Sequence, residues 1–328
     1  MTNAAGRTTA VGSLVAIALV WGVAFSIVKG ALHDVSPATV VTWRFTVAAA
    51  VLLVVRPRCL CALPVHTWRR GLILGVILGI AFLVHTQGMQ STSVMVAAFL
   101  TGTVVVFAPV VARIYPGRRI TPVAGFSITL ATAGMAVITL RNVSIGNGEL
   151  LLTAAALLWA VHLVGLEIWT DRGDFYALAV IQLVVASVLA AAVQLWTAGT
   201  VPVPASLTTM GALIGLGALA TGGAFLLLTW AQTRIDATTA AVILTLEPVF
   251  GAVTAVALGE PVILRVAAGA MLILVGATIA ASPNGRAGRS LRHATARRAL
   301  LLPANGPHLR LAGLQQVRRD PRRAAPAP

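Results

Sequence analysis

The sequence predicts an all-α membrane protein of ten transmembrane helices, built as two inverted five-helix repeats with both termini in the cytoplasm. Three observations carry this prediction: the composition, the spacing of uncharged apolar segments, and a similarity between the two halves. Hydrophobic residues make up 58% of the 328 residues and charged residues only 10%. A soluble domain carries roughly a quarter charged residues, so the composition excludes an ordinary soluble fold.

Long uncharged segments indicate helices rather than strands. Residues 72–89 and 94–112 contain no Lys, Arg, Asp or Glu. About 20 such residues cross a hydrocarbon core of about 30 Å as a helix, whereas strands of a membrane barrel alternate apolar and polar residues. The predicted spans, in chain order, are 11–30, 37–55, 71–89, 94–114, 121–140, 149–169, 175–196, 208–230, 236–257 and 262–281.

The first span is expected to be a retained helix rather than a signal peptide, because no small-residue cleavage site with a polar mature domain follows it. The loops between later spans are short, and several contain Pro, Gly or polar residues. These breaks are Ser36-Pro37, Tyr115-Pro116-Gly117, Gly146-Asn147-Gly148 and Pro202-Val203-Pro204.

Basic residues predict the orientation, since cytoplasmic loops of membrane proteins collect Lys and Arg. With the N-terminus inside, the cytoplasmic side collects 20 basic residues, ten of them in the stretch 283–328, and the outer side collects three. Arg44 lies within a span. Both termini are then cytoplasmic, which requires an even number of spans and agrees with ten. The outer three are Lys29, Arg141 and Arg265.

The net charge of +15 reflects this topology rather than nucleic-acid binding. The tail 283–328 is rich in Arg, Pro and Ala and is predicted to be largely disordered, resting on anionic lipid. Arg supplies all but one of the 24 basic residues, which, with the high Ala and Val content, is typical of a GC-rich bacterium. The predicted location is therefore the bacterial inner membrane. Cys59 and Cys61 are predicted to be free cytoplasmic thiols, because a one-residue gap is poor disulfide geometry.

The second half of the chain resembles the first. At a shift of 138 residues, 19–23 (Leu-Val-Trp-Gly-Val) falls on 157–161 (Leu-Leu-Trp-Ala-Val), and at a shift of 143 Phe107 falls on Phe250. Five spans are an odd number, so the second copy must be inverted in the membrane. Inverted repeats place a substrate site near the midplane between the copies. The predicted units are a short N-terminus 1–10, a first repeat 11–142, a second repeat 143–282 and the tail 283–328.

Several short motifs, in their order, resemble the drug/metabolite transporter superfamily, in its EamA-type group of ten spans with two EamA repeats. The similarity covers about residues 10–282, and 115–117 departs from the Gly-Glu turn at the matching place in the second half. The motifs are Trp21-Gly22-Val23-Ala24-Phe25, Ser36-Pro37, Trp43-Arg44-Phe45, Gln90-Ser91-Thr92-Ser93, Ala97-Ala98-Phe99-Leu100-Thr101-Gly102, Leu246-Glu247-Pro248-Val249-Phe250 and Leu258-Gly259-Glu260. The resemblance implies an N-in and C-in carrier that exports or exchanges small organic solutes, in some members coupled to protons.

Two ionisable residues inside spans are the leading site candidates, since a charge at the bilayer centre costs roughly 3 kcal/mol or more unless it is paired or wetted. Arg44 lies roughly 10 Å into the second span at 1.5 Å per residue and suits an anionic substrate group. Glu247 lies roughly 16–18 Å into the ninth span, where a carboxyl group suits proton coupling. The alternatives are snorkelling of Arg44 to the outer headgroups, or a permanent Arg44–Glu247 ion pair. Pro248 is expected to kink the ninth span.

Nine further residues are weaker candidates for substrate binding or coupling. Polar side chains in apolar spans are also explained by helix-to-helix hydrogen bonds, and tryptophans by packing or interfacial anchoring. Glu167 in particular is near the cytoplasmic end of its span and could reach water. The nine are Lys29, Glu167, His85, Gln87, His162, Gln182, Trp21, Trp159 and Trp230.

Glycines at four-residue spacing predict close helix packing. Gly71, Gly75 and Gly79 form such a stripe in the third span, and Gly211 and Gly215 are predicted to do the same in the eighth.

The leading hypothesis is a secondary transporter, not an enzyme, that works by alternating access on a small-molecule substrate, with protons as a coupling partner and a homodimer left open. No catalytic residue, cofactor or metal ligand set is predicted, since the two candidate histidines lack a nearby Cys or Asp cluster and no Walker-type loop is present. Two alternatives remain at this stage. One is a membrane-embedded lipid-modifying enzyme, which the scattered acids disfavour; the other is a non-transporting scaffold or sensor that uses the basic tail.

Overall fold

The structure, a computed structural model, describes residues 4–114, 120–139, 146–171, 173–257 and 264–281. The motifs at 115–117 and 258–260 and the predicted tail lie outside these ranges. Within them every regular element is helical. The helices are α1 (Ala4–Ala31), α2 (Pro37–Val55), α3 (Val65–Ser91), α4 (Val94–Gly102), α5 (Val104–Ala112), α6 (Pro122–Thr139), α7 (Asn147–Trp169), α8 (Phe175–Ala198), α9 (Leu207–Gly215), a π-helical segment (Leu216–Gly223), α10 (Ala224–Ala231), α11 (Ala237–Leu244), α12 (Glu247–Ala257) and α13 (Leu264–Ala281).

Nine helical stretches in the described ranges are long and apolar enough to cross a membrane. They correspond to all the predicted spans except the fifth, α6, whose apolar part Pro122–Val137 is shorter. The third helix begins at Val65 rather than at 71, because the six residues before the uncharged segment, two of them arginines, continue the helix by about 1.7 turns at 3.6 residues per turn. Helix starts follow local capping: the side chains of Ser36, Ser93, Ser206 and Asp236 each accept a hydrogen bond from the backbone three residues on.

The fourth and ninth predicted spans are each broken into two half-helices. The fourth is interrupted at Thr103, between α4 and α5, where the sequence predicts a continuous span. The ninth is interrupted at 245–246, between α11 and α12. The hydroxyls of Thr103 and Thr245 each donate to the carbonyl three residues earlier, which is a local alternative to the helical ladder. Pro248 is the second residue of α12, where its missing N–H costs little. The break lies directly before it, at the place where the sequence predicts a kink.

A π-helical segment interrupts the eighth span, which the sequence predicts as regular helix. The segment Leu216–Gly223 contains three of the span's glycines. Its wider turn is closed by Thr221, whose hydroxyl donates to the carbonyl of Leu216 at 2.9 Å, five residues earlier. Such segments occur frequently at functional sites, and here two of its polar atoms bind side chains from the first half of the chain.

The main contacts between helices of the first half and helices of the second half occur in pairs that the repeat relates. α3 packs on α8, and the related contact is that of the π-helical segment on α2. In the same way, α1 packs on α12, and the related contact is that of α7 on α5. α6 packs on its own counterpart α13, as α2 does on α8. The contacts between the halves therefore come in pairs related by a displacement of five spans, as expected for a duplicated unit.

Glycines permit the closest of these contacts. The predicted stripe in α3 lies against α8: a Cβ placed on Gly75 would lie 2.6 Å from the Cβ of Val185. The prediction for Gly211 and Gly215 is wrong, because a Cβ on either would meet no atom within 4 Å. The close approach in the eighth span is made two residues after Gly215, by Gly217, where a Cβ would lie 2.6 Å from the Cβ of Val47. The four-residue spacing did not show which face of the helix is covered.

Candidate functional site

A cavity of about 100 Å³ lies between the two halves and takes its walls from both. Five aromatic side chains line it, and the ends of the four half-helices α4, α5, α11 and α12 reach it. Its ionisable and polar side chains are few. The aromatic residues are Trp21, Phe25, Phe82, Trp159 and Phe225, and the polar ones are Arg44, His85, Thr101, His162, Thr245 and Glu247.

The apolar walls of the cavity are related by the repeat, whereas its polar groups are not. Trp159 is the counterpart of Trp21 at a shift of 138, and Phe225 is the counterpart of Phe82 at a shift of 143. The same shift relates Val104, at the start of α5, to Glu247, at the start of α12. The duplication therefore relates four of the five aromatic side chains in pairs, and single substitutions between the repeats supply the charged and polar groups.

Arg44 is buried in α2 and points into the cavity. Its Nε donates to the Thr221 hydroxyl at 3.2 Å, and its guanidinium carbon lies 5.2 Å from the centre of the Phe82 ring. Because Thr221 donates its own proton to the Leu216 carbonyl, its oxygen is free to accept from Arg44. Within the described residues the two terminal nitrogens of Arg44 have no hydrogen-bond partner, which leaves the planar fork available. Snorkelling to the headgroups does not occur, since Arg44 is only 4% exposed.

Glu247 is the first residue of α12 and also lines the cavity. Its side chain forms no hydrogen bond and no ion pair within the described part of the chain, so the permanent pair with Arg44 considered as an alternative is absent. Its place at a helix N-terminus favours a negative charge, because the first backbone N–H groups carry a partial positive charge. The backbone is held from behind by α1: a Cβ on Gly22 would lie 2.6 Å from the Glu247 carbonyl oxygen.

His85 joins the cavity wall from α3. Its Nε2 is 3.2 Å from the Thr101 hydroxyl on the half-helix α4. The ring packs against Trp159, with 4.7 Å between ring centres, and against Phe25. Its Nδ1 is buried and has no partner in the described residues. A buried polar atom without a partner is uncommon in folded proteins, so this nitrogen is available to a bound molecule.

His162 is fixed by a chain of hydrogen bonds that runs through Gln182. The Thr229 hydroxyl donates to the Phe225 carbonyl at 2.6 Å, so it accepts from the Gln182 amide nitrogen at 3.1 Å. That arrangement turns the Gln182 oxygen towards His162, and the His162 Nε2 donates to it at 2.7 Å. The neutral ring therefore carries its proton on Nε2, which leaves Nδ1 as its acceptor.

The two tryptophans in the cavity are held differently. Trp21 donates from its indole nitrogen to the carbonyl of Ala220, in the π-helical segment, at 2.7 Å. Trp159 instead packs edge-on against Phe82, with 5.2 Å between ring centres. Both rings are anchored and present apolar faces to the cavity.

Besides Gln182, four of the candidate residues do not line the cavity and have structural partners. Lys29 donates to three carbonyl oxygens at and beyond the end of α3, at 2.6–3.1 Å. Glu167 is buried and accepts from the backbone nitrogen of Ala237, the first residue of α11, at 2.9 Å, so it does not reach water. Gln87 is exposed and bonds Gln90, and Trp230 lies beneath the Arg234 guanidinium at 4.0 Å.

Sequence reasoning missed several residues of the site. Phe82 and Phe225 could have been found, since both are aromatic and match at the shift of 143. Thr101 and Thr221 are threonines like many others in these spans, and nothing local distinguishes Thr101, which lines the cavity, or Thr221, which holds Arg44. In the described ranges no group of three His, Cys, Asp or Glu residues could hold a metal ion.

Comparison with known proteins gives three results. Residues 8–140 and 146–282 each match the profile of the EamA-like transporter family. An uncharacterized transporter of Archaeoglobus fulgidus is 27% identical over 275 residues, which cover 81% of this chain and 83% of that protein. A protein of known crystal structure superposes with a TM-score of 0.69 at 20% identity, over 84% of this chain and 96% of that one, which is a likeness of fold.

Proposed function

Because the chain belongs to the EamA-like transporter family, with one match in each half, we propose that it is a secondary carrier of a small organic metabolite or drug. The observation that carries the proposal is the cavity between the halves, at which four half-helix ends meet Arg44 and Glu247, which form no ion pair in the described part of the chain. In carriers built from inverted repeats, broken helices form the substrate site near the bilayer midplane.

The chain crosses the bacterial inner membrane ten times, with both termini in the cytoplasm, and the second five-helix unit is inverted. The distribution of Lys and Arg supports this orientation, and the paired contacts between the halves support the duplication. The boundary between the repeats falls near residue 142. The direction that the family resemblance favours is export.

Transport proceeds by rocking one half against the other, so that the cavity opens to each side in turn. The glycine-lined contacts of α3 on α8 and of the π-helical segment on α2 support this, because bare backbone surfaces can slide without interlocked side chains. Glu247, whose side chain has no hydrogen-bond or ion-pair partner among the described residues, is the coupling residue, since its carboxyl group can take up a proton on one side and release it on the other.

Replacement of Arg44 tests the carrier function. Arg44→Ala should abolish export while the protein remains folded in the membrane, because the loss of the guanidinium removes the cavity's only strong cation among the described residues. The measurement compares metabolites in the medium and cytosol of cells that overexpress the wild-type protein, Arg44→Ala or Arg58→Ala. Arg58 is an exposed loop residue and serves as the matched control.

One or more compounds should accumulate in the medium with the wild type and with Arg58→Ala, and not with Arg44→Ala. Equal accumulation with all three proteins would remove Arg44 from the mechanism. No difference between the wild type and cells without the protein would refute the carrier function itself.

A further inference from the structure

Two charged side chains tie the half-helices α4 and α11 to the first helix of their own repeat. Lys29, near the end of α1, donates to three carbonyl oxygens between the end of α3 and the start of α4, at 2.6, 3.1 and 2.8 Å. Glu167, near the end of α7, accepts from the backbone nitrogen of Ala237, the first residue of α11, at 2.9 Å. Neither side chain lines the cavity, so neither is placed to bind the substrate.

The two ties occupy equivalent positions in the duplication. Lys29 falls on Glu167 at the shift of 138 that also relates the two tryptophans of the cavity. The corners that they hold correspond as well, because Ser93 and Asp236, the N-cap residues of α4 and α11, match at the shift of 143. The two repeats therefore share the tie, although the charge that makes it is reversed.

The reversal of charge follows from the backbone groups that need a partner at each corner. A helix ends in carbonyl groups with a partial negative charge and begins with N–H groups with a partial positive charge. Lys29 serves the carbonyl groups at the end of α3. The end of α10 has its own cation, since Arg234 donates to the carbonyl of Trp230 at 3.2 Å, whereas the matching residue of the first repeat is Ser91. An acid at position 167 can therefore serve the start of α11 instead.

Each tie holds the far end of a half-helix whose other end reaches the cavity. α4 runs from its corner to Thr101 and Gly102, and α11 runs from its corner to Leu244. At 1.5 Å per residue each half-helix is about 12–14 Å long. Along this length α4 packs on α7, and α11 packs on α1, so each contacts the opposite half of the chain. The tie fixes the start of the half-helix to its own half, while its length lies against the other.

We propose, on the basis of the proposed carrier function, that Lys29 and Glu167 are paired positioning residues, each of which controls access to the cavity from one side of the membrane. In the proposed orientation the corner of Lys29 lies at the outer side and that of Glu167 at the cytoplasmic side. A half-helix that has lost its tie no longer moves with its own half, and the entrance beside its corner opens more often. Loss of Lys29 therefore acts on the outer entrance, and loss of Glu167 on the inner one.

The test measures how fast a cysteine in the cavity reacts with a membrane-impermeant maleimide from each side. Thr101→Cys places one thiol at the inner end of α4, and Thr245→Cys places one directly after α11. Both are made in a chain with Cys59→Ser and Cys61→Ser. Intact cells report access from the outside, and inverted membrane vesicles report access from the cytoplasm. No substrate is needed for either measurement.

Lys29→Met and Glu167→Met should raise the labelling rate on opposite sides. Lys29→Met should raise it at position 101 in intact cells and not in inverted vesicles, and Glu167→Met should raise it at position 245 in inverted vesicles and not in intact cells. The expected rise is roughly tenfold, which corresponds to about 1.4 kcal/mol, near the contribution of a single hydrogen bond to a charged group.

Conservative variants separate a lost tie from a loosened fold. Lys29→Arg keeps the donors and Glu167→Gln keeps an acceptor, so both should restore rates close to the wild type. Glu149→Gln, which changes an exposed acid at the start of α7, and Arg58→Gln, in an exposed loop, should leave both rates unchanged. Lys29→Gln and Glu167→Asp weaken the ties without removing them. They replace a methionine variant that does not reach the membrane and should change the rates in the same direction.

A rise in labelling from both sides in either variant, a rise from the same side in both, or no rise in either would overturn the proposed control of access. The carrier function would stand in each of these cases as long as overexpressing cells still export a compound that Arg44→Ala cells retain. The two proposals therefore fail on different measurements.

Discussion

At the scale of single residues, the site is defined by how Arg44, His162 and Glu247 are held and by which of their polar atoms remain available to a ligand. Thr221 and Phe82 hold the Arg44 guanidinium from one edge and one face, and the remaining edge is left for a ligand. Gln182 holds the His162 ring in a similar way, because its oxygen accepts the proton on Nε2. Among the described residues no side chain supports Glu247 in either way, and its position is set by the start of α12 and by the contact of its backbone with α1.

Glu247→Gln is expected to uncouple transport from the proton gradient, because an amide cannot take up and release the proton that the carboxyl group carries. In vesicles that contain the purified protein, flux driven by a pH difference should be lost. Exchange of labelled for unlabelled substrate at saturating concentration should continue. Unchanged dependence of flux on the pH difference would exclude Glu247 from coupling.

Ionisable residues of the site were predictable from the sequence, and their partners were not. Arg44 and Glu247 are conspicuous because few charges lie inside the apolar spans. Lys29 and Glu167 are equally conspicuous, yet each is used to tie helix ends together. The sequence gives the depth of a residue in its span, but which face of the helix meets a neighbour depends on packing between distant segments.

At the scale of elements, the sequence predicts the helices but not most of the interruptions within them. Nine of the ten predicted spans correspond to helical stretches long enough to cross a membrane, because a run of apolar residues is a strong local signal. The break at Thr103 and the π-helical segment at 216–223 were not predicted. Both sit in segments of unremarkable composition, where a glycine or threonine weakens the helix and a tertiary contact decides its course.

The contact between α3 and α8 gives a prediction about stability. Gly75→Ala should lower the free energy of unfolding by about 1–3 kcal/mol, the usual cost of an overpacked interior, because the new Cβ would lie 2.6 Å from that of Val185. Gly211→Ala is the matched control, with no atom within 4 Å of its Cβ. Thermal unfolding of the two purified variants should separate them, and equal midpoints would mean that α3 and α8 are not packed as described.

At the scale of the whole molecule, orientation in the membrane can be read from two cysteines in one loop. Cys61 is exposed and Cys59 is buried, and burial raises the pKa of the Cys59 thiol. The thiolate is the reactive form, so Cys59 should react slowly and faster as the pH rises towards that pKa. Cys61 should react readily wherever a reagent can reach it.

A membrane-impermeant maleimide should label Cys61 in inverted membrane vesicles and not in intact cells. The variants Cys59→Ser and Cys61→Ser assign the signal to one thiol at a time. Labelling of the Cys59→Ser variant in intact cells would place this loop outside and reverse the predicted topology.

The contact of Gly22 with the Glu247 carbonyl ties the position of an acid to the relative position of the two halves. Gly22 belongs to α1 and Glu247 to α12, and a Cβ on Gly22 would lie 2.6 Å from the Glu247 carbonyl oxygen, so the contact leaves no room for a side chain at position 22. A rotation of one half by a few degrees would therefore displace the Glu247 backbone, and the carboxyl group would move with it. Any residue larger than glycine at position 22 would push α12 and Glu247 away from α1. Substitution at this position is therefore a way to engineer a carrier that is held in one conformation of its cycle.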